Sequence, residues 1–597
     1  MKTTYPALIL TLLSVIGPAC AAPSFDQWVD NFTAEWVRAN PQLATQAQYF
    51  SGAEQDALDR QLILSGAFGL PYGVKAAEAQ AALARQGLGG LRQFPASGLT
   101  ASQRTSAALL QWSFEDTIAG ARFARYQFIF EQMGGLQLGL VNFLTQTHPI
   151  RNRRDCENYL ARLALVGPRI DEGIAEARAA ADIGILPPRF IVQRTIEQLD
   201  GFLAAKPADN VLVATFATRM DALGAAIPAD DRRHFADQAE RQVQSTIIPA
   251  YQRIRALLVD QLPRTTDDAG LWRLPHGDEA YAQALARYTT TTLTADEIHA
   301  IGQREVARIE TEMDTILRQL GYADGSIQAR YEQLNLSLQP PSDPDPRPTL
   351  VAQAERVVRD AERRAGLLFD LRPKAPVVVR REPAFSERTA AAHYSPPAPD
   401  GTRPGIYWLP LADLGPKVPW IGAGFKSTAY HEAVPGHHFQ LSVQQESAEL
   451  PRFRKLRALG FISAYGEGWA LYTERLAAEN GWYDGDLPGR LGYLALQLFR
   501  ARRLVADTGL HAMKWTRQQA IDFGFTAAET ERYVVWPGQA CSYMIGELRI
   551  VELREKARAA LGPKFSIKEF HNVVLRGGTV PLDVLAQEVD EWIAAEK

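Results

Sequence analysis

The segment His431-Glu432-Ala433-Val434-Pro435-Gly436-His437-His438 places three of the chain's ten histidines within eight positions, beside a carboxylate. It constrains the fold because a regular helix cannot run through it and still gather its histidines. In a His-Glu-x-x-His helix the two imidazoles lie about 40° apart and about 6 Å along the axis, close enough to share one ion. Here the fourth residue after His431 is Pro435, which ligates nothing. On an undistorted helix His437 would sit about 9 Å along and roughly 120° around from His431. His438 would return to the same face about 10.5 Å away. Zinc–nitrogen bonds are about 2.0–2.1 Å, so neither pair could chelate one ion unless the chain departs from the helix. The sequence supplies the means. Pro435 lacks an N–H and its ring clashes with the carbonyl of His431. Val434 is pushed out of the α region, and Gly436 can take angles closed to other residues. The expectation is a bulge at Val434-Pro435-Gly436 that loops out two residues and brings His437 to the usual position of a second ligand. The plain alternative is a solvent-exposed, histidine-rich turn with no metal.

A third ligand is needed. Glu467, in Ser463-Ala464-Tyr465-Gly466-Glu467-Gly468-Trp469, follows His437 by one helix, a turn and a return helix. Trp469, Leu471, Tyr472 and Leu476 mark its helix as mostly buried, and a buried glutamate is costly unless paired or metal-bound. Glu474 is a rival, but its neighbours Thr473 and Arg475 suggest a polar face or a structural ion pair.

Four ordered motifs carry a resemblance: His431 to His438; Glu467-Gly468-Trp469-Ala470-Leu471-Tyr472; Asp507-Thr508-Gly509-Leu510-His511; and Pro537-Gly538-Gln539-Ala540-Cys541-Ser542-Tyr543. Together they resemble the bacterial family known as domain of unknown function 885, over nearly the whole chain. That family in turn resembles the helical gluzincin peptidases, such as thimet oligopeptidase, Taq carboxypeptidase and dipeptidyl peptidase III. The resemblance implies His431, His437 and Glu467 as ligands of one Zn2+ and Glu432 as general base. The extra His438 departs from the gluzincin pattern and competes with His437 for the second histidine position. By the Gly-His correspondence His437 is preferred.

A His2Glu site leaves zinc an open position for water; the ion acidifies that water and polarises the scissile carbonyl. Glu432 would take the water proton and pass it to the leaving amine. A second oxyanion donor is expected, and Tyr543 and His511 are the candidates, with Tyr533 weaker. Asp507, four residues before His511, could orient its imidazole on one helix; a plain surface ion pair is the alternative. Tyr543 could equally be an aromatic core residue. Arg500, Arg502 or Arg503 could receive a substrate carboxylate, although most helix arginines are solvated or ion-paired.

Residues 1–22 have the form of a signal peptide: Lys2, an apolar core from Ala7 to Ile16, and Ala19-Cys20-Ala21 at the cleavage site. A periplasmic or secreted protein is favoured over one lipid-anchored through Cys20, because Gly17-Pro18-Ala19 matches a lipobox poorly. No membrane span is expected, since no later run approaches 18 apolar residues. Only Cys156 and Cys541 would remain after cleavage, so the fold does not rest on a disulfide framework; one bridge between them stays open. Lys and Arg total 64 against 68 Asp and Glu, and no long basic run argues for nucleic acid.

Helical spacing dominates. Phe25, Trp28, Val29, Phe32 and Trp36 form one stripe. Val306, Ile309, Met313, Ile316, Leu317 and Leu320 form another, ended by Gly321. Tyr159 to Ala181 is a long Ala/Arg/Glu-rich helix stopping before Gly184. Loops are expected at 339–346 and 395–401, with short strands at Val377-Val378-Val379 and Gly405-Ile406-Tyr407-Trp408-Leu409. The second strand could offer an edge to an extended peptide or be a buried structural strand. The expectation is a mainly α, two-lobed fold with a deep cleft and a small β element near the motif: a single catalytic unit over 23–597, with lobes 23–290 and 291–597. The expected activity is zinc-dependent peptide hydrolysis. Hydrolysis of a non-peptide amide or ester, or silent peptide binding, are the alternatives. Oligomeric state is not legible.

Overall fold

The computed structural model describes residues 23–64, 72–338, 345–382, 387, 390–398, 401, 403–411 and 422–597. Residues 1–22, expected to form a signal peptide with Cys20, most of the 339–346 loop and part of the 395–401 loop lie outside these residues. Helices dominate, and one three-stranded sheet is present among the described residues. The first stripe forms a helix over Phe25–Arg38, opened by a Ser24 capping box and burying Phe25, Val29, Phe32 and Trp36. Each such fully buried apolar side chain contributes about 1.5–3 kcal/mol. The second stripe falls in Ala295–Gln319, and Gly321 follows with φ 89°. The long helix spans Arg153–Asp182, with Gly184 at φ 82°.

The apolar residues form two cores. One uses residues between Leu62 and Leu258. The other joins Phe25 to Leu58, Leu109 to Phe114 and most of the chain from Ala269 to Ile593. The cores therefore do not divide at residue 290: the core that takes in the N-terminal helix also holds most of the chain from Ala269 on, although the aromatic stripe itself packs on Phe94 and Phe114. A cavity of about 120 Å³ lies where the cores meet, with Tyr72 and Glu131 on one side and Leu271 and Trp536 on the other. His431, His437 and Glu467 do not line it.

Both expected strands form: β1 over Val377–Arg381 and β3 over Gly405–Leu409, with β2 (His393–Ser395) between them in sequence. The spatial order is β1-β3-β2, β1 parallel and β2 antiparallel to β3. β3 is thus the central strand, with both edges paired, and cannot align a peptide along a free edge. It is the buried structural strand of the two sequence alternatives.

Cys156 and Cys541 are both buried and free, and they sit in different cores. The bridge left open by the sequence does not form. No helix among the described residues is long and apolar enough to cross a membrane.

Candidate metal centre

The motif is built from two helices, not from one bulged helix. The first, Phe425–Glu432, carries His431 in its last turn; the second, Helix His437–Glu446, begins at His437 itself. The Val434–Pro435 peptide bond between them is cis. Gly436 is required by close approach: a Cβ there would stand 1.9 Å from the carbonyl oxygen of His431 and 2.4 Å from that of Tyr430. The insert therefore ends one helix and starts another at an angle that turns His437 back toward His431. Their rings meet edge to face, centroids 4.8 Å apart.

A third helix, Ser463–Glu479, fixes the break from outside. Its Trp469 Nε1–H donates to the Pro435 carbonyl at 2.9 Å, and the Thr473 hydroxyl, which donates to the Ala470 carbonyl at 2.7 Å, lies 3.4 Å from the Tyr430 carbonyl. This helix is itself held tightly. A Cβ on Gly468 would lie 2.5 Å from Gly546 Cα, and one on Gly546 would lie 2.0 Å from the Ala464 carbonyl. Glycine at both positions lets Ser463–Glu479 and Ser542–Leu561 cross nearly backbone to backbone.

Glu467 Oε2 stands 3.5 Å from His431 Nε2 and 3.4 Å from His437 Nε2. Two donors each about 2.0–2.1 Å from one ion at the tetrahedral angle are about 3.3–3.4 Å apart. These separations match that edge and are long for hydrogen bonds. The three ligand atoms lie within 4.8 Å of one another. His431 Nδ1–H donates to Glu474 Oε1 at 2.8 Å, which fixes the ring and leaves Nε2 facing Glu467. Glu474 is fully buried; it is no surface residue. It stands seven positions after Glu467, two turns along and on the same helix face, so one imidazole spans both carboxylates.

Electrostatics follow from this crowding. Burial alone would lower the His431 pKa, but Glu467 and Glu474 outweigh it and hold it up at about 10. Burial would raise Glu467; the two imidazolium charges dominate and push it well below the usual carboxylate range. Glu432 is buried beside both histidines and Glu467, and burial raises its pKa. With both histidines neutral, the one guanidinium paired with Glu432, Glu467 or Glu474 among the described residues is that of Arg500, 3.7 Å from Glu474. Two negative charges then stay uncompensated in a buried site, which a divalent cation would balance. The donor set of two imidazoles and a carboxylate suits zinc.

His438 is committed elsewhere. Its Nδ1 accepts from the Tyr394 hydroxyl at 2.9 Å, and its other nitrogen donates to the Ala375 carbonyl. The cluster gathers His437 and leaves His438 out.

The two expected oxyanion donors differ. Tyr543 is partly buried near the start of its helix, where Ser542 bonds Ser463 at 2.7 Å, so it stands at the same end as the opening turn of the Glu467 helix. Its hydroxyl accepts from Arg532 at 3.4 Å, and the Arg503 guanidinium stacks 4.6 Å above its ring. His511 is closed: Nδ1 accepts the Leu271 N–H at 3.1 Å and Nε2–H donates to the Tyr533 carbonyl at 3.0 Å. Asp507 does not orient it. That carboxylate instead accepts from the Tyr281 hydroxyl at 2.6 Å and the Gly538 N–H at 3.0 Å. Arg502 pairs with Glu310 at 2.8 Å and Arg503 with Glu529 at 2.7 Å, so neither is free for a substrate.

Sequence reasoning passed over Tyr407. It is fully buried on β3, its hydroxyl has no hydrogen-bond partner, and Glu432 is the charge it senses. The alternation Gly405, Tyr407, Leu409 was the available signal, because a Cβ at Gly405 would touch His438, which marks this face of β3 as the one turned to the motif.

The chain matches the crystal structure of a chain described as a "putative lipoprotein" from Colwellia psychrerythraea, at 28% identity and TM-score 0.85, covering 95% of this chain and 99% of that one. It also shares its fold with a "putative lipoprotein of unknown function" from Shewanella oneidensis, at 20% identity, TM-score 0.69 and the same coverages. No curated protein matches. Residues 71–589 match the family model described as "Bacterial protein of unknown function (DUF885)". The chain belongs to that family.

Proposed function

We propose that this protein is an exported zinc-dependent peptidase. The observation that carries the reading is the donor set of His431, His437 and Glu467, with carboxylate–imidazole separations of 3.4 and 3.5 Å and Glu474 holding the His431 ring. Zinc, when bound, supplies Lewis-acid polarisation of a carbonyl and acidification of a water. The chain supplies the rest. Glu432, adjacent to His431 and with its pKa raised by burial, would take a proton from an attacking water and deliver it to a leaving amine. Tyr543 keeps its hydroxyl proton while accepting from Arg532, which leaves it able to donate to a developing oxyanion. His511 has no free nitrogen and is assigned no chemical role. Export is supported by the leader-like residues 1–22 and by the likeness to chains described as lipoproteins.

The test is hydrolysis of a mixed peptide library by zinc-loaded wild type and Glu432→Gln. The expected result is turnover in wild type that falls about 10²- to 10⁴-fold in the variant, the range of a lost general base, with zinc retained. Equal turnover in both proteins would remove Glu432 from the chemistry. Cleavage of esters or acyl amides but no peptide would reassign the substrate.

A further inference from the structure

Carboxylates deep in a protein are nearly always paired with a cation, and Glu131 is not. It is 2% exposed, and among the described residues its carboxylate accepts only the backbone N–H groups of Met133 and Gly134, in the turn that follows it. Burial, opposed by those two bonds, holds its pKa up at about 7. It lines the cavity of about 120 Å³ at the junction of the two cores. The other charged residue of that wall, Arg287, is balanced already. Its Nη1 lies 3.3 Å from Asp116 Oδ2, and Gln283 donates to Asp116 Oδ1 at 3.0 Å. With that pair neutral overall, an ionised Glu131 leaves the wall with one uncompensated negative charge.

The rest of the lining is largely aromatic. Tyr72 and Phe128 are buried, whereas Phe123, Tyr126, Tyr288 and Trp536 are partly exposed. The cavity thus has a dry side, which includes Glu131, and a side that solvent reaches. The Tyr72 hydroxyl donates to the Gly134 carbonyl at 3.2 Å, which ties this ring to the turn that holds the carboxylate. The Tyr126 hydroxyl donates to the Pro275 carbonyl, and its ring meets Phe123 edge to face, centroids 5.4 Å apart. Native interiors seldom leave a void of this size. A cavity of ~150 Å³ takes benzene, so this one has room for a group of about five heavy atoms. A neutral apolar guest would leave Glu131 unpaired, and an anion would meet a like charge. A small organic cation answers both features, since it pairs with a carboxylate and is attracted by aromatic rings.

We propose that this cavity binds a compact alkylammonium ion, with Glu131 as its counter-ion and the surrounding aromatic side chains as its cage. The site is separate from the zinc cluster, whose ligands do not line it, and it stands whether or not the protein is a peptidase. A free primary amine and the lysine side chain of a peptide present the same butylammonium group, which matches the size of the cavity.

The experiment is isothermal titration of the mature protein with n-butylammonium, its neutral isostere n-butanol, and butyrate. Wild type should bind one n-butylammonium per chain, about 10- to 100-fold more tightly than n-butanol, the range for a hydrogen bond to a charged group, and no butyrate. Glu131→Gln keeps an acceptor for one of the two backbone N–H groups and should bring n-butylammonium down to the affinity of n-butanol. Phe123→Leu, on the partly exposed side, keeps the carboxylate and an apolar wall. It should weaken n-butylammonium about 2- to 30-fold, the range of a lost cation–π contact, with n-butanol nearly unchanged; it carries the test if Glu131→Gln does not fold. Equal affinity of wild type for n-butanol and n-butylammonium, unchanged n-butylammonium affinity in either folded variant, or no binding of the ammonium overturns the proposal. Two blocked tripeptides, one with a central lysine and one with a central norleucine, separate the sources. Binding of the lysine peptide alone of the two assigns the site to lysine side chains. Binding of n-butylammonium and neither peptide assigns it to free amines, and both results support an alkylammonium site.

Discussion

His431 and His511 are both buried histidines in the last turn of a helix, and they behave in opposite ways. Carboxylates surround His431, and its pKa is held up at about 10 despite burial. Backbone groups surround His511, and burial lowers its pKa to about 4. Burial and helix position are shared; the partners differ. A buried imidazole bracketed by carboxylates can exchange its proton for a cation, whereas one bonded to an N–H and a carbonyl is locked as a neutral structural group. The motif region was assembled to hold positive charge, and the Asp507–His511 region to join two segments of the core.

The largest effect that would break this contrast is expected at Gly436. A Cβ 1.9 Å from a backbone oxygen cannot be relieved by a side-chain rotation, so Gly436→Ala should lose zinc binding altogether and about 3 kcal/mol or more of stability. Urea unfolding with metal analysis checks both. Next comes the pair His431→Ala and His511→Ala. The first should abolish zinc binding and cost about 3–5 kcal/mol of stability in chelator, because the buried Glu467 and Glu474 lose the imidazolium between them. The second should keep zinc and lose about 2–4 kcal/mol, because two buried backbone groups lose their partner. Zinc loss in His511→Ala with a native melting curve would reverse the assignment.

Acid titration sharpens the contrast further. His511 has a folded pKa below the ordinary 6.5, so its stabilisation is full above pH 6.5 and is lost as pH falls toward 4. His438, also lowered to about 4, acts in the same window. In metal-free protein His431 has the opposite sign: its contribution is present below pH 6.5 and is lost as pH rises through about 10. Across pH 4–7 the melting temperature of His511→Asn should therefore fall less, or rise more, with acid than that of wild type. The smallest effect is expected at Glu474. Glu474→Gln keeps an acceptor for His431 but removes a charge, and zinc affinity should drop about 10- to 100-fold, read by competition with a chelating dye.

Features set by local spacing were legible in the sequence. The stripes of Phe25–Arg38 and Ala295–Gln319, the strand Gly405–Leu409, and the need for a break at Val434-Pro435-Gly436 all follow from periodicity or backbone sterics. The break itself is larger than the expected bulge, since it separates two helices. What failed was long-range pairing. Asp507 and His511 stand four apart on one helix, yet Tyr281, Gly538, Leu271 and Tyr533 claim them. The place of β3 at the sheet centre depends on β1 and β2, which no spacing within β3 encodes. Glu474 looked polar because of Thr473 and Arg475; its seven-residue interval from Glu467 was the stronger signal and went unused.

The central claim is that the broken motif builds one zinc site from His431, His437 and Glu467. Its most direct test is zinc per chain by mass spectrometry of purified wild type, His437→Ala and His438→Ala. The expected values are about one, near zero and about one, as a His2Glu site that does not use the neighbouring His438 demands. Zinc lost from His438→Ala and kept in His437→Ala would contradict the account, as would wild type that takes up no stoichiometric metal.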